Sequence, residues 1–176
     1  MTIEYSETEL EMINLLDQHV NAELQGDLDT TMATMIDSPH LLNIPNMMGG
    51  DGYEGVKSFY KNHLVGKFFP PDVIMQRVSL TVGRNQIVDE LVIKFTHTTV
   101  IDWMLPEVEP TGKKVEIGLV VIAGINDKKI SHEHIYWDQA SVLFQVGLID
   151  RHDLPICGSE SAKKLLDLSL HNKLPD

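Results

Sequence analysis

Apolar positions recur at helical intervals through the first third of the chain and at every second position after it. Ser6-Glu7-Thr8-Glu9 has the spacing of a capping box, and Leu10, Ile13, Val20 and Leu24 follow at intervals that predict a first helix. Gly26 can stop that helix, and Asp27 can cap a shorter second one carrying Leu28, Thr31, Met32 and Met35. Residues 40–55, HLLNIPNMMGGDGYEG, predict a short hairpin, with Pro45 at its edge and Gly49-Gly50-Asp51-Gly52 as its turn. Val56, Phe59, Tyr60, His63 and Leu64 form one stripe of a third helix, and Pro70-Pro71 close the helical half.

From there the period is two. DVIMQRVSLTVG alternates Ile74, Val78, Leu80 and Val82 with polar neighbours, although Gln76 interrupts the apolar face. Long β-branched runs follow over residues 86–105 and 113–125, and ISHEHIYWDQ (130–139) is the last strand. The links at 83–85, 106–112 and 126–127 are rich in turn residues. After Gly147 come Pro155 and a short amphipathic helix, SESAKKLLDLSL, capped at Ser159 or Ser161. Helices segregated from strands predict an α+β domain over 1–150, with 151–176 as a C-terminal tail. Strands this long must coil, so the curved sheet can wrap the helices and leave a pocket at its open end.

Composition narrows the function classes. At 176 residues the chain fits one domain, and 43% hydrophobic against 23% charged residues is globular, not disordered, material. Fourteen basic and 26 acidic residues leave a net charge of −12, which repels phosphate backbones and anionic lipids and argues against nucleic-acid and membrane partners. No apolar run approaches the roughly 18–20 residues that span a bilayer. MTIEYSETELEM lacks the basic start and apolar stretch of a signal peptide, and the single cysteine, Cys157, cannot form an internal disulfide. The expectation is a soluble cytoplasmic protein.

Three segments resemble the NTF2-like superfamily, in particular its SnoaL-like branch, which is related to ketosteroid isomerases. NIPNMMGGDGYEGVKSFY is similar to that family's hairpin and the Gly-Tyr-Glu-Gly turn into its third helix. FTHTTVIDWMLPEVEPTGKKVEI resembles its long strand, Pro-Thr-Gly turn and next strand. KKISHEHIYWDQASVLFQVGLI resembles its final strand, ending in Trp-Asp and leading into Leu-x-x-Gln-x-Gly-Leu. With the first helix and its Gly-Asp break, the resemblance spans about residues 8–150. It implies a cone-shaped α+β barrel, dimeric through its outer sheet face, with an apolar cavity for a small metabolite. In cyclase members an acid at the end of the last strand acts as acid/base without any cofactor, and Asp138 stands at that position. The same fold also hosts non-catalytic binding and dimerisation modules.

The last strand carries the densest candidate chemistry. Alternation puts His132, His134, Tyr136 and Asp138 on one face, opposed to Ser131, Glu133, Ile135 and Trp137. Alternation alone turns the first set outward and lets Ile135 and Trp137 fill the core. The resemblance instead implies that Asp138 faces inward, where apolar walls raise a carboxylate's basicity for proton transfer beside a carbonyl, an effect worth roughly 10²–10⁴-fold. His134 and His97 are the companion catalytic candidates, His97 lying on the apolar stripe of Leu91, Ile93 and Phe95. Tyr53, Trp103, Tyr136 and Asn43 are the substrate-binding candidates; Met47 is a weaker one, and Asp102 ranks below Asp138. His132 and His134 form an H-x-H pair that needs further ligands, such as His97, His40 or Asp138, before it makes a metal site. The resemblance implies no metal; no nucleotide cofactor is expected, since no Walker or Gly-x-Gly-x-x-Gly motif is present, and Cys157 lies in no nucleophile elbow.

Overall fold

The capping box at Ser6 forms. Ser6 Oγ accepts the Glu9 N–H at 3.3 Å while a Glu9 carboxylate oxygen accepts the Ser6 N–H at 2.7 Å. In the computed structural model, which describes residues 4–152 and 154–172, this cap opens α1 (Glu7–Gln25). The first three residues of the acidic N-terminal segment lie outside the described residues. Gly26 ends α1 with φ 68°, a left-handed conformation glycine adopts without strain. Asp27 then caps α2 (Leu28–Ala33) through the Thr30 N–H. The buried stripe of α1 is Met12, Leu16, His19 and Ala22, whereas Leu10 and Leu24 are largely exposed. The face expected from Leu10 and Leu24 is therefore rotated, and a histidine sits on the inner side.

Strand β1 (Met35–Asn43) and β2 (Met48–Asp51) form the short hairpin, but its turn is Ile44 to Met47, not the expected Gly49–Gly52. Asn43 O accepts the Met47 N–H at 2.8 Å, and Met47 takes a positive φ. Gly49 and Gly50 instead allow close approach: a Cβ on Gly49 would lie 1.9 Å from Leu41 O, and one on Gly50 2.4 Å from Gly55 O. Helix α3 (Gly52–Phe59) follows, and its last turn widens to a π-helical turn at Tyr60–Leu64.

The long strands are β3 (Ile74–Val82), β4 (Gln86–Thr96), β5 (Lys114–Asn126) and β6 (Lys129–Trp137), followed by α4 (Gln139–Gln145) and α5 (Glu160–Leu166). They form the predicted antiparallel meander, but β6 also pairs in parallel with β1. The result is one mixed six-stranded sheet, ordered β2-β1-β6-β5-β4-β3 and open between its edge strands β2 and β3. The architecture is α+β.

The run 86–105 is not one strand. It ends at Thr96, and the chain turns inward, burying Ile101, Trp103, Met104 and Leu105. Three adjacent apolar residues cannot share one face of a strand, so here they pack as a turn, closed by Leu105 N–H to Ile101 O at 2.8 Å. The Trp103 indole donates to Phe68 O, and Asn46 donates to Trp103 O, both at 2.8 Å. In the tail, α5 is the predicted amphipathic helix. It packs where β5 has Gly118, whose Cβ would meet Leu165 at 2.8 Å, on the sheet face opposite Ile117 and Leu119. No helix among the described residues is long and apolar enough to cross a membrane.

Candidate functional site

Between α1, the π-helical turn and the concave sheet face lies a cavity of about 320 Å³. Its lining is mainly apolar, including Leu41, Phe59, Phe68, Phe69, Trp103 and Leu119. Polar groups enter at four places: Glu23 and Glu133 together, Asn43, a cluster of Arg77 with Asp17 and Asp89, and the exposed Asn21. The Arg77 cluster is closed on itself. Arg77 bonds Asp89 through Nε at 2.9 Å and Nη2 at 2.7 Å, and reaches Asp17 at 3.1 Å.

The first group is the chemical centre. His19 projects from the buried stripe of α1, with Glu23 one turn further on. Glu133 lies on the inner face of β6, and the widened turn after α3 brings in Tyr60. His19 Nε2 is 3.1 Å from Glu133 Oε2, 3.3 Å from Glu23 Oε1 and 3.1 Å from the Tyr60 hydroxyl. Tyr60 donates to Glu133 Oε2 at 3.0 Å. On the ring's other side, Thr34 Oγ1 lies 2.6 Å from Nδ1 and donates its own hydrogen to Thr31 O at 2.6 Å. Thr34 can then only accept from the ring, so Nδ1 carries a proton and Nε2 faces the two acids.

Burial and charge set the protonation. Desolvation alone would lower the His19 pKa, but Glu133 and Glu23 outweigh it and push it up to about 10. Glu23 moves upward because burial disfavours its anion more than the imidazolium stabilises it. Burial opposes the Glu133 anion too, yet His19 and the Tyr60 hydroxyl hold its pKa below the usual carboxylate value. Burial first, then the two glutamates, drives the Tyr60 phenol well above its ordinary value. The centre thus sets an imidazolium against two buried carboxyl groups whose pKa values are driven in opposite directions, at an apolar wall. Pairs of acids pushed in opposite directions are the arrangement that separates a proton donor from a proton acceptor.

The structure divides the sequence candidates. Asn43 and Trp103 line the cavity. Asn43 is 1% exposed, and neither Oδ1 nor Nδ2 has a hydrogen-bond partner. Asp138 does not face inward. It is exposed and caps α4, accepting the Ser141 N–H at 3.0 Å, because the strand ends at Trp137 and the acid meets free helix N–H groups first. His134 and Tyr136 share the outer face, where His134 Nε2 meets His40 Nε2 at 2.9 Å and His132 stacks on His40. Burial is the main cause that lowers the pKa of both His132 and His134. His97 is buried away from the cavity, and its Nδ1 accepts the Thr111 N–H at 3.3 Å, pinning the loop after β4. Tyr53 lies beneath Lys57 on α3, outside the cavity lining. Among the described residues, the His/Cys/Asp/Glu group with three converging ligand atoms is His19, Glu23 and Glu133, not the H-x-H pair.

Sequence reasoning missed that centre, though two signals were present. Glu133 alternates with Ile135 and Trp137, an acid on an apolar face, and His19 and Glu23 are one turn apart on a helix.

No protein-family model matches the sequence, and no curated protein matches it. Solved structures do. A SnoaL-like polyketide cyclase from Jannaschia sp. CCS1 superposes with TM-score 0.66 at 15% identity, covering 85% of this chain and all of that one. The epoxide hydrolase/cyclase-like enzyme SalBIII, described in pyran ring formation of the polyether salinomycin, gives 0.56 at 14% identity over 75% and 94% of the two chains. An NTF2-like protein from Burkholderia xenovorans LB400 gives 0.58 at 10% identity over 78% and 97%. An open α+β sheet wrapped on an apolar cavity, with these likenesses, gives the chain the NTF2-like fold in the form seen in SnoaL-like proteins.

Proposed function

We propose that the cavity binds a small apolar metabolite and that Glu133, Glu23, His19 and Tyr60 move a proton on it without a cofactor, as an isomerase, cyclase or hydrolase does. The observation that carries this reading is the pair of carboxyl groups, shifted in opposite directions around one imidazole, at an apolar wall. The Glu133 carboxylate takes a proton beside a carbonyl or from a hydroxyl. Glu23 gives its proton to the oxygen where charge develops. His19 touches both acids and holds the charge of the centre balanced as they exchange roles. Support comes also from the names of two structures of the same fold, a SnoaL-like polyketide cyclase and an epoxide hydrolase/cyclase-like enzyme. In this reading the curved sheet is a cone-like cup around α1, the protein is a cytoplasmic homodimer, and Asp138 is a helix cap.

Ring opening of 5-nitrobenzisoxazole reports a carboxylate base in an apolar pocket and needs no knowledge of the natural substrate. The wild-type protein should accelerate it beyond free acetate, and Glu133→Gln should lose roughly 10²-fold or more. Equal rates for the two would refute the acid/base role and leave a ligand-binding module.

One observation supports a second reading. The His19, Glu23 and Glu133 ligand atoms lie within 4.8 Å of one another, and with Nδ1 on Thr34 it is Nε2, once it gives up its proton, that faces the two carboxyl groups, as in a divalent-cation site. Activity abolished by a chelator and restored by a divalent cation would select it.

A further inference from the structure

Asn43 is the one cavity-lining side chain with both polar atoms buried and unpartnered among the described residues. Its two ends ask for different things: Nδ2 donates and Oδ1 accepts. Leaving such groups unmet disfavours the folded chain, and leucine in their place would be better suited to the surrounding wall. A polar pair kept there points to a ligand that meets it.

The site has a defined geometry. Asn43 stands beside Ile135 in the parallel β1–β6 ladder, and Leu41 stands beside Glu133. Asn43 is therefore one two-residue repeat, about 7 Å, along the sheet from the acid/base centre. Phe59, Phe68, Phe69 and Trp103 contribute flat apolar walls. The Arg77 cluster on the same cavity is already paired with Asp89 and Asp17, so it offers no free cation to a charged ligand.

We infer that Asn43 recognises the ligand through a paired contact with a neutral donor–acceptor edge. The ligand class is a flat, apolar-bodied lactam or carboxamide, whose N–H meets Oδ1 and whose carbonyl meets Nδ2. This inference rests on the cavity being a ligand site, as proposed above, and adds the chemistry of the ligand's far end. With that edge held by Asn43, an oxygen or acidic C–H about 7 Å away is presented to Glu23 and Glu133.

The test uses two probes that differ by one donor, 2-quinolinone and N-methyl-2-quinolinone, with binding to the full chain measured by titration calorimetry. The wild type should bind 2-quinolinone about tenfold or more tightly than the N-methyl compound. Asn43→Leu, and independently Asn43→Ala, should bring the two affinities within about twofold. Asn43→Leu should also raise the apo melting temperature by roughly 2–4 °C. Equal affinities in the wild type, no binding of either probe, or a preference that survives both substitutions overturns the inference. The lactam preference is read by binding alone and the acid/base role by benzisoxazole opening, so failure of that reading is distinguishable from failure of this one.

Discussion

Glu23 and Glu133 carry the same functional group and do opposite things because one histidine is shared unequally between them. Glu133 receives His19 Nε2 and the Tyr60 hydroxyl on one oxygen, while burial dominates at Glu23. Glu133→Gln should therefore leave a buried imidazolium without its partner and destabilise the fold by roughly 3–5 kcal/mol. Glu23→Gln replaces a carboxyl group whose anion burial already disfavours and should change stability by no more than about 1 kcal/mol. Chemical denaturation at pH 7 compares the two, and equal losses would contradict the assignment. The pH dependence follows from the same shifts. His19 is raised, so its contribution is full below about pH 6.5 and is lost as pH rises through about 10. Glu133 is lowered, so its contribution is present above about pH 4.5 and is lost as pH falls through its folded value. The ion pair thus supports the fold between those limits. Melting temperature should fall above about pH 9 in the wild type, and in Glu133→Gln that fall should begin at lower pH. Coincident profiles would rule the pair out as its cause. Glu133 was legible as an acid on an apolar stripe, whereas its partners came from α1 and the turn after α3, distant in sequence.

Elements were read best where a local signal decides them. The Ser6 capping box, the Gly26 stop and the Asp27 cap need only neighbouring residues, and all three form as the spacing predicts. The hairpin turn and the end of β4 depend on what lies across from them. Gly49 and Gly50 look like turn residues in sequence, but they serve close packing of β2 against β1 and α3. Gly50→Ala should accordingly destabilise the protein by about 3 kcal/mol, since its Cβ would meet backbone, which cannot swing aside. An unchanged urea midpoint would show that β2 shifts freely. Likewise Ile101 to Leu105 read as strand by composition, and only the space beneath the sheet turns them into a buried loop that supplies Trp103 to the cavity. Asp138 is the same lesson in one side chain: the resemblance turned it inward, and the first N–H groups of α4 claimed it.

For the molecule as a whole, the parallel pairing of β1 with β6 is the decisive contact. It joins the N-terminal hairpin to the meander, bringing Asn43, Leu41 and Glu133 onto one cavity wall. The outer face of the same two strands carries His40, His132 and His134 in mutual contact beside the exposed Tyr136, while α5 packs on β5 and β4. That uncovered outer strip is the surface through which the proposed homodimer would form. Sedimentation at micromolar concentration should show a dimer, and Tyr136→Arg should shift it toward monomer without changing the cavity. A clean wild-type monomer would remove the dimer from the proposal.

Periodicity, caps and turn chemistry are properties of near neighbours, so the chain alone was enough to predict helices first, strands after and an α+β domain. The polar stripe of the last strand was equally legible as a stripe. Which side of the sheet would face the hollow, and which acid would meet the histidine there, was decided by contacts between segments up to 114 positions apart. Desolvation and charge pairing act through space, so the two opposed glutamates and the unpartnered amide of Asn43 came together only when the sheet packed against α1.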